Sequence, residues 1–265
     1  MRLGSSGGEV VLRAAVAIVL LWLLLPIVMP LSIAFSETEA IVFPPRGFTL
    51  NWFRKVFEYE SFVEGFKLST VVALLASLTA IALNIPVSYV LSRYRVPGRR
   101  FFERLFELPI LIPQIVLSFS LLILVVKTFR ITSFAALLIG HIIIVYPYAM
   151  RIIYSSLANL NPEIEDAAVS LGAGRLRAFF QVVIPNIREA ILGAFISSFM
   201  ISFNAVSISL FLGVANTFTL PVAMLNFLVM SWDPTLSALS FMLVAFTLSL
   251  NYAAERLVRL AGAVR

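Results

Sequence analysis

Few side chains in this sequence could do chemistry. Among 265 residues there is one histidine, His141, no cysteine, and 14 acidic residues. Without cysteine there is no disulfide framework, thiolate zinc site or iron–sulfur cluster, and one histidine excludes a histidine-rich metal cluster. No metal site is expected. His141 could relay a proton, but a lone histidine in an apolar run more often serves as a structural hydrogen-bonding group. Lysine occurs only at Lys55, Lys67 and Lys127, never after glycine, so the Gly-Lys-Ser/Thr loop that cradles nucleotide phosphates is missing. No catalytic residue and no resident cofactor are expected. The remaining polar chemistry is of two kinds. Gln114, Ser202, Asn204, Ser207 and Ser209 put amides and hydroxyls into otherwise apolar runs, where they could line a solute pathway or serve helix packing in lipid. The densest charged stretch, residues 161–185, reads NPEIEDAAVSLGAGRLRAFFQVVIP and sets three acids and two arginines around a Gly-Ala-Gly break.

The elements that must position these groups are membrane spans. The chain is 60% hydrophobic and 13% charged, with a mean hydropathy of +0.99, whereas soluble domains carry roughly 25% charged residues. Crossing the hydrocarbon core takes about 20 mostly apolar residues. Six runs qualify, at about 14–35, 66–91, 105–126, 134–154, 187–214 and 236–257. The first is longer than a signal-peptide core and no A-x-A site follows it, so it reads as a retained helix. Six spans put both termini on one side. That side, with residues 92–104 and 151–188, holds fourteen of the twenty Lys and Arg residues. Basic residues near helix ends favour the cytoplasm, so both termini and the 161–185 stretch are expected there. The net charge of +6 then reflects membrane orientation and not nucleic-acid binding. Prolines 26, 30, 86, 109, 113 and 147 are expected to kink the spans. Residues 51–66, NWFRKVFEYESFVEGF, alternate aromatic and charged side chains as an interfacial helix does. The expected fold class is an all-α polytopic membrane protein with six transmembrane helices in a single domain, residues 1–265.

The 161–185 stretch carries its own helix signals. Asn161 followed by Pro162 is a capping side chain and a proline at the first helical position. Glu163, Glu165 and Asp166 fall in the first turns, where the helix dipole favours negative charge. Ile164, Ala167, Ala168 and Leu171 form an apolar stripe, and Gly172 stands where a glycine ends such a helix. After Gly174 a second amphipathic piece carries Leu176, Phe179, Phe180 and Val183, and Pro185 turns the chain into the fifth span. A first helix of about ten residues is marginal alone in water, so its stripe needs cover. Lipid headgroups are one cover, but an anionic leaflet suits an acidic helix poorly. A groove on a partner protein suits it better.

The same stretch resembles the cytoplasmic loop signature of bacterial ABC-importer permeases: Glu-Ala-Ala, three residues, Gly, nine residues, then Ile-x-Leu-Pro. Here Asp166-Ala167-Ala168, Gly172, Val182, Ile184 and Pro185 keep every spacing. The likeness extends over about residues 47–255. GFTLNWF at 47–53, GHIIIVYPYAMRIIYSSL at 140–157, SFNAVSISLFL at 202–212 and TLPVAMLNFL at 219–228 are similar to the branch that includes the second permease of spermidine/putrescine importers.

The resemblance implies the type I ABC-importer permease fold in the bacterial inner membrane. It implies a coupling helix that docks on an ATPase, carried over to Glu165, Asp166, Ala167, Ala168, Leu171, Gly172, Ala173, Arg175 and Pro185. It also implies a translocation pathway along Gln114, Ser202, Asn204 and Ser207, and an external gate at Thr219, Leu220 and Pro221. The implied partners are a homologous second permease, two ATP-binding cassette ATPase subunits that hold ATP and magnesium, a periplasmic solute-binding protein and the lipid bilayer. One departure matters for the solute. Asn204 and Ala205 stand where polyamine permeases tend to carry acidic residues, and a dication crossing the midplane gains from such an acid. A polyamine therefore stands beside zwitterionic or anionic solutes such as an amino-acid-like compound, an opine or a phosphonate. The rival reading is a self-contained secondary transporter, which would call for buried charges and inverted repeats; neither is visible in the sequence.

Overall fold

The computed structural model describes residues 6–40, 42–131, 133–213 and 218–262, and every regular element among them is a helix. In order these are α1 (Ser6–Ile33), α2 (Asn51–Glu58), α3 (Glu60–Arg93), α4 (Arg99–Leu111), α5 (Gln114–Leu121), α6 (Ser133–Asn159), α7 (Glu163–Ser170), α8 (Arg175–Ala178), α9 (Ile184–Asn186), α10 (Arg188–Phe203), α11 (Val206–Leu212), α12 (Leu220–Met230) and α13 (Thr235–Gly262). A π-helical stretch, Leu122–Thr128, prolongs α5, and another, Phe179–Val183, joins α8 to α9. Among the described residues four helices are long and apolar enough to cross a membrane, or six if each of two bent pairs counts as one span.

The chain divides into two compact units, residues 1–60 with 227–246 and residues 61–226 with 247–265. In the first, Phe35 stacks on Phe48 at 5.6 Å and meets Phe53 and Phe241 at 5.2 Å each. α2 is the helix expected from the aromatic–charged alternation, but it stops at Glu58 because Tyr59 is extended (φ −84°, ψ 102°). It buries Trp52 and Val56. The Trp52 indole N–H donates to the Ser36 carbonyl at 2.7 Å, and the Lys55 ammonium sits 4.9 Å from the Trp52 ring centre and 3.1 Å from Asp233. The hydrogen bond that Lys55 donates to Asp233 holds its amine above the usual pKa. Asp233 also accepts the Thr235 N–H at 2.7 Å at the start of α13.

The second unit has its core between α3, α6, α10 and α11. α3 buries Gly65, Ser69, Val72, Ala73, Ala76, Ser77, Ala80 and Asn84, an i, i+3/i+4 stripe of mostly small residues that lets helices approach closely where lipid offers no hydrophobic drive. The Asn84 amide donates to its own helix at Ala80 O (2.8 Å) and across to Tyr146 O in α6 (3.1 Å). α3 and α6 each contain a proline, Pro86 and Pro147, and each runs on as one helix.

Two expected spans are different. The run 105–126 is not one kinked helix: α4 and the α5 limb meet at 103°. Pro113 disfavours helical backbone in the residue before it, and Ile112 is extended (φ −92°, ψ 130°). The run 187–214 is broken twice. Arg175–Asn186 and Arg188–Phe203 meet at 66°, and the chain leaves helix again at Asn204 and Ala205 before α11. The Asn204 side chain donates to the Met200 carbonyl at 2.8 Å, and such a local bond competes with the helical one. The end of that run at Val214, and the charges Arg2 and Arg265, lie outside the described residues. α12 has no counterpart among the six expected spans.

Candidate functional sites

The 161–185 stretch folds as its local signals dictate. Asn161 Oδ1 accepts the Glu163 N–H at 3.0 Å, the capping bond expected of it. α7 follows. Gly172, at φ +94°, takes the left-handed turn that glycine adopts without steric cost, and a Cβ there would meet nothing within 4 Å. Gly174 is extended instead (φ −64°, ψ 149°) and starts α8.

Which way the loop faces is less simple. Ile164, Asp166, Ala167, Leu171, Arg175, Leu176, Phe180 and Pro185 are exposed, Leu171 by 90%. Ala168 and Ala173 are half-buried. The resemblance puts Glu165 on the docking face, but the side chain is 5% exposed and points into the bundle. The Tyr89 hydroxyl donates to Glu165 Oε1. Arg93 Nε lies 3.5 Å from Glu165 Oε2, while its Nη1 donates to the Leu160 carbonyl at 3.0 Å. A buried carboxylate without a partner would cost several kcal/mol, so α7 turns it toward the tyrosine and arginine that end α3. Tyr89 and Arg93, one helical turn apart, hold Glu165 and were not singled out by the sequence. Their i, i+4 spacing was the available signal, but their partner lies more than seventy residues later.

The pathway candidates divide. Gln114 and Asn204 come together on an open cavity of about 440 Å³, which Tyr148, Ile201 and Ala205 also line. Both amides sit where an expected span breaks, Gln114 just after Ile112–Pro113 and Asn204 at the end of α10. With Asn204 Nδ2 engaged at Met200, its Oδ1 is the atom that can accept from a solute. Ser202 is not on this cavity. It is buried against His141, whose Nδ1 lies 2.7 Å from Ser202 Oγ and whose Nε2 lies 3.1 Å from Ser209 Oγ. The reason is geometric: Ser202 precedes the Asn204 break and Ser209 follows it, and the imidazole reaches one hydroxyl on each limb. A neutral ring has one donor and one acceptor nitrogen, and hydroxyls satisfy both. Gly140, next to His141, makes room for α11, since a Cβ there would overlap the Leu212 side chain. Ser207 is half-buried and away from the cavity lining.

The segment proposed as an external gate is docked on α3. The Leu220 N–H donates to Ser69 Oγ at 2.8 Å, and Leu220 and Thr219 are buried. A Cβ at Gly65 would come within 3.1 Å of the Leu220 backbone and the Phe218 carbonyl, so a larger residue would press on this approach. Thr219 O receives the Val222 and Ala223 amides at the start of α12, and Pro221 is half-buried. Among the described residues no group of three or more acidic or histidine side chains could hold a metal.

Comparison with known proteins gives consistent relatives. Residues 84–262 match the family described as binding-protein-dependent transport system inner membrane component. The chain is 24% identical to the spermidine/putrescine transport system permease protein PotC of Haemophilus influenzae over 93% of its length and 96% of the relative's. It is 26% identical to the putrescine transport system permease protein PotI of Escherichia coli, covering 83% of this chain and 80% of that one. Among solved structures, a chain of a bacterial ABC transporter involved in import of the acidic polysaccharide alginate superposes with a TM-score of 0.72 at 15% identity, over 98% of this chain and 99% of that one. A chain of the MetNI methionine ABC transporter, in inward-facing conformations, gives 0.61 at 16% identity, over 76% and 96%.

Proposed function

Because the chain belongs to the family of binding-protein-dependent transport system inner membrane components, and so is a multi-pass permease subunit of an ABC importer, we propose how its surfaces divide the work. The exposed face of the 163–185 loop, with Ile164, Asp166, Ala167, Leu171 and Leu176, docks on a separate ATPase subunit. The observation that carries this is the exposure of that apolar stripe while Glu165, on the opposite side, ties the helix to the bundle. We place the loop and both termini in the cytoplasm on the asymmetry of basic residues. The working assembly in this reading holds a second, homologous permease half, two ATPase subunits carrying ATP and magnesium, and a periplasmic solute-binding protein. ATP binding draws the ATPases together, moves the docked loops, and shifts the bundle between inward- and outward-facing states. The energy enters as a difference in binding between two states, which is what a population shift requires.

The Gln114–Asn204 cavity is this chain's share of the pathway, and Thr219–Pro221 its part of the external gate. The relatives named for polyamines raise the question of charge. The cavity offers two amides and the Tyr148 phenol, and its lining includes no carboxylate. That lining supports a neutral or zwitterionic polar solute. A polyamine would need its counter-charge from the second permease half. Reconstitution tests the reading: uptake into proteoliposomes should require the ATPase subunits, hydrolysable ATP and the binding protein together. Uptake by this chain without any ATPase would overturn it. Competition with putrescine, spermidine and neutral amino acids then ranks the solute classes.

A further inference from the structure

Among the described residues, α3 touches both ends of the proposed machine. At one end its Tyr89 and Arg93 hold Glu165 of the docking loop, and the Arg93 and Glu165 side chains are only 9% and 7% exposed. At the other end its Ser69 accepts the Leu220 N–H at 2.8 Å, and its Gly65 lies so close to the Leu220 backbone that a Cβ would come within 3.1 Å of it. Ser69 and Tyr89 are twenty residues apart on an unbroken helix, about 30 Å at 1.5 Å per residue, which is the thickness of the hydrocarbon core. Between them the Asn84 amide ties α3 to α6 through Tyr146 O, so the two unbroken helices are fastened side by side. The limbs that line the cavity are broken, and a broken limb transmits displacement poorly.

We propose that α3 is a transmission rod: the Tyr89–Arg93–Glu165 clasp converts movement of the ATPase-facing loop into movement of α3, and the Gly65–Ser69 contact delivers it to the 218–221 segment. Glu165 is then a positioning residue and not a docking contact. The inference rests on the functional reading above, since it needs an ATPase on the loop and a gate at 219–221. What it adds is the physical path between them. Each joint is specific in chemistry. The loop joint is a buried charged pair with a half-buried phenol donor, and the gate joint is one hydroxyl–amide bond beside a glycine that permits backbone contact. Coupling of this kind is established by double-mutant cycles, because adjacency alone does not show it.

The chain has no cysteine, which permits a clean reporter. Phe218 is 46% exposed, so a Phe218→Cys substitution places a thiol beside the gate. In the full importer, reconstituted with its ATPases and binding protein, the alkylation rate of this thiol by a membrane-impermeant maleimide is compared without nucleotide and after trapping with MgATP and vanadate. The parent chain should show a rate change of about fivefold or more, the lower end of ordinary coupling between sites. Glu165→Gln should leave the ATPase bound and abolish that response. Ser69→Ala, at the opposite end, should abolish it as well, and the double variant should do no more than either alone. A normal response in the assembled Glu165→Gln complex overturns the rod. So do additive effects of the two substitutions, or loss of ATPase from the Glu165→Gln complex, which would make Glu165 a docking contact. A parent complex that assembles and transports without any response at position 218 contradicts the gate assignment itself, a different failure from that of the rod.

Discussion

α3 and α6 each carry a proline and stay whole, while the runs holding Gln114 and Asn204 break. The contrast separates two kinds of membrane helix. Pro86 and Pro147 lie within helices that share one buried core, bridged by the Asn84 amide. At Pro113 the preceding residue has left the helix, and at Asn204 no proline is present at all; the asparagine side chain joins its own backbone N–H on the Met200 carbonyl. Both breaks open on the same cavity. Irregular backbone at membrane depth is tolerated where it lines a cavity, and here the broken runs are the ones that present polar groups to it.

The contrast can be broken from either side. The largest effect is expected at His141, which holds the two limbs of the broken fifth run through Ser202 and Ser209. His141→Leu should lower stability by about 2 kcal/mol, two buried hydrogen bonds at membrane-protein values plus imperfect packing. A melt in detergent reads this, and an unchanged midpoint would deny His141 that role. Next is Asn84→Ala, which removes the bridge between the unbroken helices. About 1 kcal/mol should be lost, and a melt that does not move would mean that small-residue packing alone joins α3 to α6. Smallest in stability is Asn204→Leu, within about 0.5 kcal/mol because the residue is exposed, yet it should alter solute uptake with assembly intact. Wild-type uptake would take Asn204 off the pathway.

How far these features were legible depends on how local their causes are. α7 was readable because Asn161, Pro162 and Gly172 act within a few residues of themselves, and the structure has the cap at 3.0 Å and the glycine at φ +94°. The buried stripe of α3 follows from periodicity. Other features were not readable, because their causes lie far off in the chain. Glu165 looks like one acid among three in a first turn, and only Tyr89 and Arg93 explain why it turns inward while Asp166 does not. Ser202 reads as one more pathway hydroxyl until His141 is placed beside it. The break at Asn204 carries no glycine or proline, and its signal is a side-chain amide four residues after the carbonyl it captures.

The central claim is that ATP-driven work enters this permease through the exposed side of the 163–185 loop. Affinity purification of the tagged chain after co-expression with the ATPase of the same transport system, for the parent and for Leu171→Asp, tests it most directly. Leu171 is 90% exposed and touches no core, so the substitution should leave folding and membrane insertion intact. The account predicts that the parent retains the ATPase and the variant loses most of it, together with solute-stimulated hydrolysis. A variant that keeps the ATPase and transports at the parental rate would contradict the account.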